Sequence, residues 1–470
     1  MEVCYPYYDP DFDKLIERVN GPSCRVCIDN ESCKACTVVK VDSVNKQGLL
    51  LHVVQVLTNI NLTISKSYIS SDADWFMDVF HVKDEHGNKL NDQRVINYIQ
   101  QAIDTRSEFQ DAGEVKTGPF SSTDGKAFNE DVLNEHTAIE LTGIDRPGLF
   151  SEISAALADL RCNVVEAHAW SHNERLACIA YISEQNTTSC INDPTRLATI
   201  KDHLSTVINA ASTSSTDDQT GVETTGLPGG DGTTTNAERR LHQLMRAGRD
   251  FEGPLSGSPK TNYLLWDCEE ERKTVVSIER CNEKGYSVVS IECKDRQRLM
   301  FDVVCTLTDM QYVVFHASII SRGDCAFQEY YIRHIDGCTL NTETKKAQVV
   351  KCLEAAIERR VSEGVRLELR ADNRVGLLSD ITRMLRENGL AVVRADVATE
   401  GEKTTNAFYV RDVSGINIDM DIVESMKREM DPIALEVKNN YPRPNSPETA
   451  HFSFGGLLKS QIERISHSFQ

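Results

Sequence analysis

The sequence predicts an α+β protein of four small βαββαβ modules, on three observations. One apolar pattern recurs in register at four places; in each copy a period-two stretch leads into a period-four stretch; and the junction carries Gly three times and Arg once. With Gly148 as reference, Leu149, Ile153 and Leu157 share one helical face and Val164-Val165 follows. The same frame fits elsewhere without a gap. Gly48 precedes Leu49, Val53, Leu57 and Ile64; Arg298 precedes Leu299, Val303, Leu307 and Val314; Gly376 precedes Leu377, Ile381, Leu385 and Val392. Upstream, Val39 and Val41, Ile139 and Leu141, Val289 and Ile291, and Leu367 and Leu369 alternate with Lys40, Glu140, Ser290 and Glu368, as in half-buried strands.

Each copy therefore reads as strand, short loop, helix of about 12 to 14 residues and second strand. A polar turn follows, then a third strand at Phe76 to Val82, Ala177 to Ser183, Phe327 to His334 or Ala407 to Asp412. A second helix closes the unit, clearest at Thr344 to Arg360, where Ala347, Val350, Leu353 and Ile357 form an apolar stripe. Ile433 to Lys438 supplies a fourth strand to the last copy. That order is the ferredoxin-like layout, an antiparallel sheet with both helices on one face. For module three no fourth strand is found, because Val365 to Arg370 opens module four. Val275 to Ile278 reads as an extra strand, assigned to module two as its delayed fourth strand.

The reference residues at 48, 148, 298 and 376 are 100, 150 and 78 positions apart, so modules three and four abut and the earlier intervals contain insertions. The expected organisation is an N-terminal extension at 1–35 and modules at 36–115, 136–211, 286–362 and 364–442, with a tail at 443–470. Residues 212–262 are expected to form a flexible linker with a short helix. Within Ser212 to Asn236, 11 Ser/Thr and 5 Gly make 16 of 25 residues, too polar to bury a core. Ala237 to Ala247 reads as that helix, and its Arg239, Arg240 and Arg246 as a solvated face rather than a binding patch.

Composition narrows the function classes. The chain has 51 Lys and Arg against 71 Asp and Glu, a formal charge of −20, which opposes phosphate-backbone binding. No apolar run reaches the 18 or so residues of a spanning helix. The start, Met1-Glu2-Val3-Cys4-Tyr5-Pro6, lacks the basic and apolar regions of a secretory signal. Fifteen cysteines in an unsignalled chain point to a reducing cytoplasmic or nuclear compartment.

The junction loops read Asn45-Lys46-Gln47-Gly48, Asp145-Arg146-Pro147-Gly148, Asp295-Arg296-Gln297-Arg298 and Asn373-Arg374-Val375-Gly376. Asn or Asp can cap a helix, and Gly allows close approach of a ligand or another backbone. Helix N-terminal amides favour a carboxylate, so such a loop suits a free α-amino acid, with the Asn or Asp oxygen on its ammonium. The candidate binding residues are Asn45, Gly48 and Leu49; Asp145, Gly148 and Leu149; and Asn373, Gly376 and Leu377. In module three, Arg298 in place of Gly either closes the site or binds a carboxylate itself; closure is the reading taken.

These residues carry a family resemblance. Asp145-Arg146-Pro147-Gly148-Leu149-Phe150 closely matches the loop motif of ACT domains, and Asn45 to Leu50 and Asn373 to Leu378 match it with substitutions. Tyr286 to Ala317 and the tail His451 to Gln461 extend the resemblance, so that nearly the whole chain resembles the plant ACT domain repeat proteins, which consist of four such modules. The modules are also similar to those ending the bacterial glutamine-responsive uridylyltransferase. The resemblance implies amino-acid binding across paired modules, joined through their sheets or helices, within one chain or between copies, and a non-catalytic sensor linking amino-acid or nitrogen status to a partner protein. A ligand-free interaction scaffold is the alternative.

Competing constellations are weaker. Cys24-x2-Cys27-x5-Cys33-x2-Cys36 has four candidate thiolate ligands, but its central spacer is short for zinc motifs, and the stretch reads as strand, turn and strand. No metal or cofactor is expected, and no phosphate loop, His-Glu-x-x-His or nucleophile elbow supports an enzyme. His168 and His316 on second strands are expected to pack or face solvent. RNA-binding modules share this fold type but stack bases on central-strand aromatics, whereas Val39, Ile139, Val289 and Leu367 are aliphatic.

Overall fold

A computed structural model describes residues 24–44, 46–72, 75–109, 136–185, 190–210, 221–225, 234–254, 274–281, 285–361, 365–414, 418–430 and 433–438. Module one contains β1 (Cys24–Asp29), β2 (Thr37–Val44), α1 (Leu49–Asn59), β3 (Thr63–Asp72), β4 (Trp75–Lys83) and α2 (Gln93–Phe109). Module two contains β5 (Thr137–Ile144), α3 (Leu149–Asp159), β6 (Cys162–His172), β7 (Arg175–Glu184), α4 (Pro194–Asn209) and β8 (Gly221–Thr225), followed by α5 (Thr234–Ala247) and a 3-10 turn at Asp250–Glu252. Module three contains β9 (Val275–Cys281), β10 (Tyr286–Lys294), α6 (Leu299–Asp309), β11 (Tyr312–Arg322), β12 (Cys325–His334) and α7 (Glu343–Glu358). Module four contains β13 (Val365–Asp372), α8 (Leu377–Glu387), β14 (Leu390–Glu400), β15 (Lys403–Asp412), α9 (Met420–Glu429) and β16 (Ala434–Lys438).

The modules join in alternate pairs. One compact unit gathers modules one and three, the other modules two and four. In the first, an eight-stranded sheet runs β1-β2-β4-β3-β11-β12-β10-β9; in the second, β16-β13-β15-β14-β6-β7-β5-β8. Each seam joins the two second strands antiparallel, with Ile69 opposite Ala317 and Ala167 opposite Val397. All four second strands carry an irregularity at the same repeat position, between Ile64 and Lys66, Val164 and Glu166, Val314 and His316, and Val392 and Arg394. Pairing also runs through helices: α1 packs on α6 and α3 on α8. α1 accordingly buries Leu49, Leu50, Val53, Val54, Val56 and Leu57, more than one stripe, because it meets its own sheet and a second helix.

The fourth strands correct the sequence assignment. Module two takes β8 from inside the stretch read as linker, and Val275 to Ile278 lies in β9, the edge strand of module three. Module one takes β1, inside the stretch read as an N-terminal extension. Modules two and four thus run βαββαβ along the chain, whereas one and three run ββαββα with the edge strand first. The sheet is the same either way, since this strand only has to lie antiparallel beside the first strand of the module. The tail at 443–470 lies outside the described residues.

The short helix is also placed differently from expectation. Rather than presenting a solvated face, α5 lies on the sheet of the second unit, where Ala237, Leu241, Leu244 and Met245 pack on Trp170, Ala177, Ile179 and Tyr181. Arg240 clamps Glu140 through Nε and Nη2, both at 2.8 Å. Arg360 holds Glu238 at 2.7 and 3.1 Å, and Arg359 holds the fully buried Asp250 at 2.7 and 2.6 Å. His172 Nδ1 lies 2.8 Å from Asp250 and His242 Nδ1 lies 2.9 Å from Arg359. Burial alone would raise the Asp250 pKa, but Arg359 and His172 bring it down to about 2.

One buried carboxylate has no such help. Asp78 on β4 is 0% exposed, and neither oxygen completes a hydrogen bond. Burial pushes its pKa well above the usual carboxylate range, with the Ser70 amide opposing. The frame places Cys178, Gln328 and Asn406 at this position in the other modules. Asp78→Asn is expected to stabilise the protein at neutral pH by about 1–3 kcal/mol, read as a higher urea midpoint. Because the folded-state pKa is raised, wild-type stability rises as pH falls from that pKa toward about 3.9, so the advantage of the variant shrinks with acidification. An equal or lower midpoint at neutral pH would refute it.

Candidate functional site

The four junctions share one backbone shape. Gly48, Gly148 and Gly376 have φ of 82, 87 and 84°, and Arg298 keeps the left-handed conformation at 64°. An L side chain there costs roughly 1–2 kcal/mol, which Arg298 offsets by donating from Nη2 to Asn61 Oδ1 of module one at 3.1 Å. The arginine is therefore folded against its partner module.

The expected capping role is not found. None of these four first helices receives a side-chain cap, whereas Asp193 and Asp419 cap the second helices α4 and α9. Asp145 instead accepts from the Ser171 hydroxyl, and burial raises its pKa. Its backbone N–H donates to Glu174 O at 2.8 Å, and Asn373 N–H donates to Glu402 O at 2.7 Å. The Asp or Asn thus pins the loop to the turn between second and third strands. A second clip follows: Arg146 Nη1 meets Glu152 at 2.8 Å, Arg296 meets Asp302 at 2.6 Å and Arg374 meets Asp380 at 2.5 Å, each reaching from loop to first helical turn. Asn45 lies outside the described residues. Leu49 and Leu149 are buried in the two cores, as is Leu377.

Only some expected residues come together around a cavity. Asn373, Gly376 and Leu377 line a cleft with Arg374 and Ser379, closed from module two by Ala158 and Asn163 and floored by Thr404 and Asn406. It is a small opening, whose space reaches about 370 Å³ only when the solvent at its mouth is counted. A helix leaves its first N–H groups without intrahelical partners, and Leu378 and Ser379 of that turn border the space. The opening presents a helix N-terminus, a guanidinium and amide side chains, groups whose chemistry suits a zwitterion.

The related loop of module two is filled. A Cβ at Gly148 would stand 2.8 Å from Cδ of Arg386 on α8, whereas one at Gly376 would meet Ala158 Cβ at 4.0 Å. Arg386 and Ala158 occupy the same repeat position, ten residues beyond Gly376 and Gly148. Asp145, Gly148 and Leu149 are thus brought together, but against the aliphatic stem of an arginine.

His168 is packed, as expected. Its Nδ1 lies 2.9 Å from Asp396 across the seam and its Nε2 2.9 Å from Glu166. Burial would lower its pKa, yet the two carboxylates raise it to about 10. His316 lies beside the rings of Tyr286 and Tyr331, at 5.8 and 6.1 Å. Val39, Ile139, Val289 and Leu367 belong to the helix-facing cores, so their lack of aromatic rings does not describe the opposite sheet face. Among the described residues, no helix is long and apolar enough to cross a membrane.

Residues 32–110 match the ACR family N-terminal ACT domain and 135–206 match the ACT domain. ACT domain-containing protein ACR2 of Arabidopsis thaliana is 58% identical, over 100% of this chain and 99% of its own length. The chain belongs to the ACR family of ACT domain-containing proteins. ACR3 of the same plant is 48% identical over 97% of this chain and 96% of its own length. A bifunctional uridylyltransferase/uridylyl-removing enzyme of Nitrobacter hamburgensis is 33% identical, but over 23% of this chain and 12% of its own. The ACR chain thus shares with that enzyme only a module-sized segment, and its two ACT matches fall on the two described modules that open the chain.

Proposed function

We propose that this ACR-family protein is a non-catalytic amino-acid sensor of the cytoplasm or nucleus, with its working site in the cleft between modules two and four. The observation that carries this reading is the contrast between Ala158 and Arg386 at equivalent positions, which leaves one loop open and fills the other. In the open cleft the ligand carboxylate lies on the first-turn amides of α8 and Arg374, and the ammonium meets the Asn373 side-chain oxygen. Binding across the pair stabilises one arrangement of the two modules, and it shifts contact with a partner protein only by the difference in affinity between arrangements. Thermal-shift measurement of the full chain against the 20 amino acids tests this. A binder at 100 times its dissociation constant adds about 2.7 kcal/mol, several degrees in melting temperature. No shift at millimolar concentration would sink the reading. A ligand-free scaffold is then favoured, for which Arg298 and Arg386, each folded onto its partner module, are the supporting observation.

A further inference from the structure

We propose that Cys33, Cys36 and His81 form a site for a thiophilic divalent ion, zinc by the chemistry of its donors, separate from the amino-acid cleft. The sulfurs of Cys33 and Cys36 lie 3.1 Å apart, and Cys36 Sγ is 3.4 Å from His81 Nδ1. The three donor atoms all fall within 4.8 Å of one another. The sequence pattern of four thiolates does not assemble. Cys24 is buried in the core of the first unit and Cys27 is exposed on β1, while a histidine from β4, distant in sequence, completes the set.

The three donors are held by elements with other reasons to be rigid. Cys33 sits in the turn joining β1 to β2. Asp29 Oδ1 accepts from the amides of Glu31 at 2.8 Å and Ser32 at 3.0 Å, which shapes that turn. Asn30 ties it down: its side chain donates to Leu90 O at 2.8 Å and accepts from Thr37 at 2.6 Å, and its carbonyl accepts from Lys89 at 2.7 Å. Cys36 immediately precedes β2. His81 pairs with Val38 of that strand and alternates with the core residues Phe80 and Val82, so its ring lies on the face away from the helices, beside Cys36.

Two thiolates and an imidazole are borderline-soft donors suited to zinc rather than to magnesium or calcium, which take oxygen. Tetrahedral bonds of about 2.3 Å to sulfur and 2.0–2.1 Å to nitrogen separate two sulfurs by about 3.8 Å and sulfur from nitrogen by about 3.6 Å. The Cys36–His81 spacing already fits, and the sulfur pair has to open by about 0.7 Å, within reach of a small side-chain rotation. Three protein ligands leave the fourth position to water.

Cobalt(II) is the probe. Full-length protein, reduced and stripped with chelator, is expected to take one cobalt per chain, with a thiolate-to-metal charge-transfer band that zinc abolishes. Zinc should also raise its melting temperature. Cys33→Ser and His81→Gln, checked for native circular dichroism, should each weaken binding at least about tenfold, whereas Cys338→Ser should not. Failure of the reduced wild type to bind, or a band surviving in Cys33→Ser, would overturn the site. So would isolation of Cys33 and Cys36 as a disulfide that forms as fast with zinc present as without it. None of these outcomes bears on amino-acid binding, which is read at a different cleft.

Discussion

Ala158→Arg is expected to abolish the stabilisation that an amino acid confers on the full chain. The substitution puts at module two the residue that module four carries at the same repeat position, where the Arg386 stem covers Gly148. A long side chain rooted 4.0 Å from the Cβ position of Gly376 would occupy the cleft lined by Asn373 and Leu377. An amino acid that gives about 2.7 kcal/mol in the wild type should give none in the variant, while the ligand-free melting temperature stays within about 2 °C, because the site is at a helix end. Arg386→Ala supplies the reverse test by uncovering Gly148, and a second binding event by calorimetry is the expected result. A ligand response that survives Ala158→Arg would place the amino acid elsewhere.

Arg359→Met should be the most damaging substitution in the second unit, at about 3–5 kcal/mol, because it leaves a buried carboxylate with only the His172 ring as its side-chain partner. Asp250 and the Arg359 side chain are 0% and 1% exposed, and the pair fastens the turn after α5 to the residues following α7. Adding Asp250→Asn should recover part of the loss by removing the stranded charge. The pH dependence has a definite sign. The folded-state pKa of Asp250, about 2, lies below its unfolded value of about 3.9, so the pair contributes fully above that value and its contribution is lost as pH falls toward 2. The deficit of Arg359→Met should therefore narrow below about pH 4, as the carboxylate protonates in both states. Urea midpoints across that range measure it, and a neutral-pH loss under about 1 kcal/mol would show that solvent reaches the pair.

Sequence pattern and structure agree where the physics is local. Leu149, Ile153 and Leu157 must share a face if the segment is helical, and Val39 and Val41 must do so if theirs is a strand, so the elements could be located from spacing alone. The junction glycines were legible for the same reason, and Arg298 keeps the same backbone at some cost. Other features were not. Asp145 looked like a helix cap, but that inference requires knowing where its side chain points, and the structure turns it to Ser171. The polarity of Ser212 to Asn236 hid β8, because an edge strand of five residues needs backbone partners more than apolar side chains.

The sequence by itself determined that the chain is a fourfold repeat of one αβ unit with a glycine-marked loop, since periodicity and turn chemistry act over a few residues. Tertiary structure alone decided that modules pair first with third and second with fourth, which stretch supplies each edge strand, and which loop stays open. The module pairing and the open loop depend on contacts between residues more than 200 positions apart, and the edge strands on backbone pairing that no side-chain pattern announces. Ala158 and Arg386 carry no special signal in the sequence, and they matter only because the β6–β14 seam sets each against the loop of the other module.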